Sequence, residues 1–128
     1  REVGDRRSEG AELGNLGTAY LVLGEMRRAL EFFEQATVIA RETGDPGVEG
    51  NALWNMALAL HQLGDRAQAI MRAEAALVLH ERLGAPQAEM VRKVLAEWKA
   101  GAGREPSVSP APGLVQGLIA LLRRIWKK

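Results

Sequence analysis

At 128 residues and net charge +1, with 47% hydrophobic and 26% charged residues, the chain has the size of one domain and an ordinary globular composition. The absence of cysteine excludes a disulfide frame and a thiolate metal site, and it fits a reducing, cytoplasmic setting. No apolar run approaches the ~20 residues of a membrane-spanning helix, and Arg1 opens a polar stretch rather than a signal sequence, so the chain reads as a fragment or processed form.

The first helix is predicted from about Ser8 to Leu23, with the apolar positions Leu13, Leu16, Tyr20 and Leu23 at helical spacing. Gly24 is placed to end it in a left-handed conformation. A second helix is predicted from about Met26 to Thr43, turning Ala29, Leu30, Phe33, Ala36, Ile39 and Ala40 inward. Gly44-Asp45-Pro46 breaks it, because proline cannot continue a helix.

The chain then repeats itself. A shift of 40 places Gly4-Asp5 on Gly44-Asp45, Glu9-Gly10 on Glu49-Gly50, Leu13 on Leu53 and Asn15 on Asn55. The same shift matches Ala19 to Ala59, Leu23-Gly24 to Leu63-Gly64, and Ala29, Glu34, Ala36 and Val38 to Ala69, Glu74, Ala76 and Val78. A fixed period of this length is the mark of a helical repeat. The units read as residues 8–46 and 47–86, the second with helices Gly50–Leu63 and Arg66–Leu83. Gly17/Ala57, Ala29/Ala69 and Ala36/Ala76 fall where helices must approach closely. Residues 1–7 read as the stub of a preceding repeat.

Residues 87–100 start a third unit and then lose the pattern. Met90, Val91, Val94, Leu95 and Trp98 form one apolar face, which reads as a capping helix over the last repeat. Residues 101–113, with three prolines among small residues, have linker composition. Residues 114–128 read as a cationic amphipathic helix. Leu114, Leu118, Leu121, Leu122 and Ile125, flanked by Trp126, form the apolar face, and Arg123, Arg124, Lys127 and Lys128 supply the charge. Residues 101–128 carry +4, since Arg104 and those four oppose Glu105 alone; the first 100 residues therefore carry −3. That balance argues against a nucleic-acid surface on the body.

Leu13, Leu16, Gly17, Tyr20, Gly24, Ala29, Phe33 and Ala36, followed by Gly-Asp-Pro, resemble the signature of the tetratricopeptide repeat family. The phrases "AYLVLGEMRRALEFFEQA" and "RETGDPGVEGNAL" are similar to its long-period variety, common in bacterial regulators and signalling ATPases. Leu60 and Ala73 depart from the pattern, standing where the first unit has tyrosine and phenylalanine. The resemblance implies an all-α, right-handed superhelix of helix–turn–helix units whose concave groove binds a protein or peptide. Groove positions would be Thr18, Leu21, Trp54, Leu58 and His61, with Gly14, Val22 and Gln62 beside them. The Lys and Asn set that grips a C-terminal carboxylate in some members is missing, so an apolar helix or strand is the expected ligand. Trp54 and Leu58 also admit a plain core role.

Catalysis lacks the necessary groups. His61 and His80 are the only histidines, fall on different helices and have no metal-ligand spacing. His80 reads as a surface or packing residue, and the pairs Glu9/Glu12 and Glu31/Glu34 read as solvated faces. No phosphate-binding loop or nucleophile motif is present, and Gly14 and Gly17 read as packing glycines. The expectation is a non-enzymatic binding module with no cofactor. Its tail has three destinations: the groove of its own chain, that of another copy in a homo-oligomer, or a membrane surface.

Overall fold

The computed structural model describes residues 3–101. It is all-α: α1 spans Val3–Val22, α2 Met26–Thr43, α3 Pro46–Gln62, α4 Arg66–Arg82 and α5 Gln87–Lys99, with no strand among the described residues. Consecutive helices pack side by side and alternate in direction, and α1 also touches α3.

Glycine sets the period. Gly24, Gly44, Gly64 and Gly84 all have positive φ, from 62° to 88°. At each, the glycine N–H and the next N–H bond back to carbonyls of the last helical turn, as in Gly24 to Leu21 and Glu25 to Tyr20. The helices therefore end where the sequence places their glycines. Two starts are earlier than expected. Asp45 caps α3 by accepting from the Val48 N–H at 3.2 Å, and Pro46 takes the first helical position, where no N–H is needed. Helix α3 thus begins at Pro46 rather than Gly50. Helix α1 begins at Val3 rather than Ser8, so most of the expected stub is part of the first helix. Arg6 pairs with Glu42 at 2.8 Å and Arg7 donates to the Thr43 carbonyl at 2.7 Å, which ties this extra turn to the end of α2.

The core forms where each pair meets. Ala29, Phe33, Ala36, Ile39 and Ala40 of α2 are buried as expected. Phe33 lies directly over Gly17: a Cβ there would come 2.7 Å from its ring. The Gly10 backbone likewise meets Ile39, and Gly50 meets Leu79 and His80. Helix α3 is central, with Ala52 to Ala59 all buried. Helix α5 closes the far side with Ala88, Val91, Val94, Leu95 and Trp98 buried. It is held along α4 by Arg92–Glu81 at 2.9 Å and Lys99–Glu74 at 2.7 Å. Where α1 and α3 meet their own second helices, α5 has Lys93 and Glu97 instead of Leu13/Leu53 and Gly17/Ala57.

Candidate protein-binding surface

Four of the five residues expected to line a groove lie inside the protein. Thr18, Leu21, Trp54 and Leu58 are buried. The Thr18 hydroxyl donates to the Gly14 carbonyl at 2.9 Å and accepts from Asn55 Nδ2 at 3.3 Å, so it links α1 to α3. His61 is half-buried, and its ring stacks on Trp98 at 4.5 Å with planes 9° apart. Trp98 also stacks on Trp54 at 5.9 Å. The physical reason is the cap. Its Trp98 ring covers Trp54 and His61 beside α3, while Thr18 is taken up by its link to Asn55. The tail residues Leu114, Leu118, Leu121, Leu122, Ile125, Trp126, Arg123, Arg124, Lys127 and Lys128 lie outside the described residues.

His80 is a packing residue, one of the two roles its position allowed. It is 2% exposed and packed under Gly50. Burial pushes its imidazole below the ordinary histidine range, opposed by a hydrogen bond with the Gly50 backbone. Its Nε2 has no hydrogen-bond partner among the described residues. The neutral ring serves packing. No cluster of His, Cys, Asp and Glu among the described residues could hold a metal ion.

The accessible apolar surface is elsewhere, on α1. Leu16 is 47% exposed and Leu23 41% exposed. The repeat explains why. Ala52, Asn55, Met56 and Ala59 of α3 are buried, whereas their counterparts Glu12, Asn15 and Leu16 are exposed and Ala19 is half-buried. Both helices have a second helix of their own unit and a following first helix. Only α3 also has a preceding pair, α1 and α2, laid against it. Leu16 therefore belongs to a stacking face whose counterpart is closed one repeat later, whereas Leu63, the counterpart of Leu23, stays 39% exposed.

On the same side, α1 carries charge of one sign. At ~100° per residue, Asp5, Glu9, Glu12, Leu16, Ala19 and Leu23 fall within about 80° of each other around the helix. The stripe is acidic in its N-terminal half and apolar in its C-terminal half. Arg6 and Arg7 reach toward α2, though Arg6 also meets Glu9 at 3.3 Å. Helical spacing alone made this stripe readable, but the counterpart α3 is what shows it to be a packing face.

Residues 9–82 match the sequence profile of the tetratricopeptide repeat. No curated protein and no solved structure matches the chain.

Proposed function

Because this chain belongs to the tetratricopeptide repeat family, we propose that it serves as a protein-interaction module that receives an amphipathic helix along the open face of α1. The family is a repeat scaffold whose members generally bind protein partners. The observation that carries the reading is the contrast between Leu16, 47% exposed, and its counterpart Met56, 2% exposed beneath the preceding repeat. A surface shaped to accept a helix is present one repeat earlier than the helix that would fill it. Binding there is helix addition: the ligand presents apolar residues at i, i+4 and i+7 and takes the seat that α2 takes on α3.

This differs from a ligand held at Trp54 and Leu58, which would first have to displace α5. It also predicts the ligand's polarity. Helices α2 and α3 run antiparallel, and Arg41 in the last turn of α2 meets Glu49 in the first turn of α3 at 2.6 Å. The counterpart of Glu49 is Glu9, so a ligand helix with basic residues near its C-terminal end fits best.

The test uses a fluorescein-labelled peptide with the sequence of residues 25–44, which is α2 with its flanking residues. It is titrated with the full chain carrying Leu118→Asp, so that the tail's apolar face is broken. Saturable binding that weakens at least about tenfold with Leu16→Asp, a charge set in an apolar contact, supports the reading. Binding unaffected by Leu16→Asp, or no binding at all, removes it.

A further inference from the structure

We propose that residues 114–128 of the same chain are the resident occupant of the α1 face, docked as a helix antiparallel to α1 and displaced when a partner's helix binds. The proposal rests on the reading above and adds its regulation: a ligand competes with a segment tethered beside its site.

Charge and shape along the two segments run in complementary order. From its N-terminal end, the α1 stripe reads Asp5, Glu9 and Glu12, then Leu16, Ala19 and Leu23. From its C-terminal end, the tail reads Lys128, Lys127, Trp126, Ile125, Arg124 and Arg123, then Leu122, Leu121, Leu118 and Leu114. Set antiparallel with Leu121 beside Leu16, the tail brings Leu118 to Ala19 and Lys128 to Glu9, with Ile125 beside Glu12. A parallel placement would set leucines on carboxylates. The antiparallel direction is also the one in which α2 covers α3, with Arg41 on Glu49. At ~100° per residue, Arg124 and Lys128 flank the leucine face and can reach α1 while their stems cover apolar surface, whereas Arg123 and Lys127 lie on the opposite side.

The chain leaves the described body on the correct side. Helices alternate in direction, so α1, α3 and α5 all end at the same edge of the layer. Gly101 stands at that edge, where Arg66 at the start of α4 donates to the Trp98 carbonyl at 3.4 Å. The tail's N-terminus must reach the same edge, beside Leu23. Packed helices lie about 8–10 Å apart, and α3 and α5 touch less closely than packed neighbours, so the path from α5 past α3 and α1 to the next seat is longer than about 30 Å. Residues 102–113 are 12 residues, which span up to ~40 Å. No exchange between copies is needed.

A second exposed stripe, Met71 and Val78 on α4, lies nearer to Gly101. Its repeat counterpart, Val38 on α2, is itself 53% exposed, so the fold contains no example of a helix seated on that face. It serves as the control surface.

The experiment uses the full chain, which has no native cysteine. Lys128→Cys carries a nitroxide label, and amide broadening is read in a nitrogen-15 spectrum. The expected result is broadening at Asp5 to Glu12, abolished by Leu118→Asp and by Leu16→Asp, and retained with Met71→Asp. Far-UV circular dichroism confirms that each variant keeps its helices. Mixing labelled chain with separate nitrogen-15 chain should give no broadening. Broadening at α4 instead, none on α1, broadening only in the mixture, or tail ordering only with phosphatidylserine vesicles would each overturn the proposal. Competition supplies the last arm: the residue 25–44 peptide should bind the Leu118→Asp chain about tenfold more tightly than the parent. Equal affinity for both overturns the resident-occupant proposal while leaving the α1 face as a binding site. Broadening on α1 with no peptide binding to either chain does the reverse.

Discussion

Trp98 of the cap lies over Trp54 of α3, with ring centroids 5.9 Å apart and planes 20° apart, and both residues are 2% exposed. The pair joins the last helix to the centre of the second repeat, and His61 stacks on the same Trp98 ring. A residue that would be a binding anchor in an open groove is instead the seat of the chain's own cap.

Truncating Trp98 should therefore cost more than its position in a terminal helix suggests. Trp98→Ala removes a ring in contact with two aromatic partners and leaves a cavity, a change worth about 3–5 kcal/mol. Urea denaturation followed by far-UV circular dichroism measures it. A loss below about 1 kcal/mol would mean that α5 is not packed on α3 in solution.

Much of this fold was legible in the sequence, and the reasons are local. Glycines at 24, 44, 64 and 84 fix the helix ends because a left-handed residue is needed there. Phe33 and the small residues opposite it fix the pairing inside a repeat. The groove was not legible, because whether Trp54 faces solvent depends on a contact 44 residues away, with Trp98. The early start of α1 was hidden for a similar reason. Residues 4–7 carry no apolar side chain, and their helix is secured by Arg6 and Arg7 on the distant end of α2. The exposure of Leu16 was not legible either: helical spacing gives the face on which a leucine lies but not whether another helix covers that face.

Two glycines on α1 should respond to alanine with opposite signs. At Gly14 the nearest atom to an added Cβ is the Ala36 Cβ at 4.0 Å, so Gly14→Ala fits and gains about 0.5–1 kcal/mol of helix propensity. At Gly17 the Cβ would lie 2.7 Å from Phe33, and the strain costs about 1–3 kcal/mol. Thermal melts of the two variants check the pair, and Phe33→Leu should lessen the penalty at Gly17. A stabilised Gly17→Ala would show that Phe33 moves freely.

Stability should depend on His80 at mildly acidic pH. Burial lowers its folded pKa below the unfolded value of 6.5, so between the two the unfolded chain binds more protons. The stabilisation is complete above pH 6.5 and is lost progressively as pH falls toward the folded value. Urea midpoints at pH 7.5 and 5.5 should differ, and His80→Gln should narrow that difference because the amide does not titrate. An unchanged difference would assign the pH dependence to other groups.

The repeat provides a matched pair for testing what covers α1. Met56 is sealed beneath the first repeat, so Met56→Ala should cost about 2–5 kcal/mol. Leu16, at the same position one repeat earlier, is 47% exposed within the helical body. With the tail's apolar face broken by Leu118→Asp, Leu16→Ala should behave as a surface change, within about 0.5 kcal/mol. In the parent chain a tail docked on α1 would add its own contact to Leu16, and the same substitution should then cost more. Urea unfolding of the four chains, parent, Leu16→Ala, Leu118→Asp and both together, forms a double-mutant cycle. Residues in contact give a coupling of about 0.5–3 kcal/mol, whereas independent sites add to within about 0.3–0.5 kcal/mol. An additive cycle would leave Leu16 open to a partner and place the tail elsewhere. A coupled cycle would show that α1 already holds the helix that its repeat counterpart receives from α2.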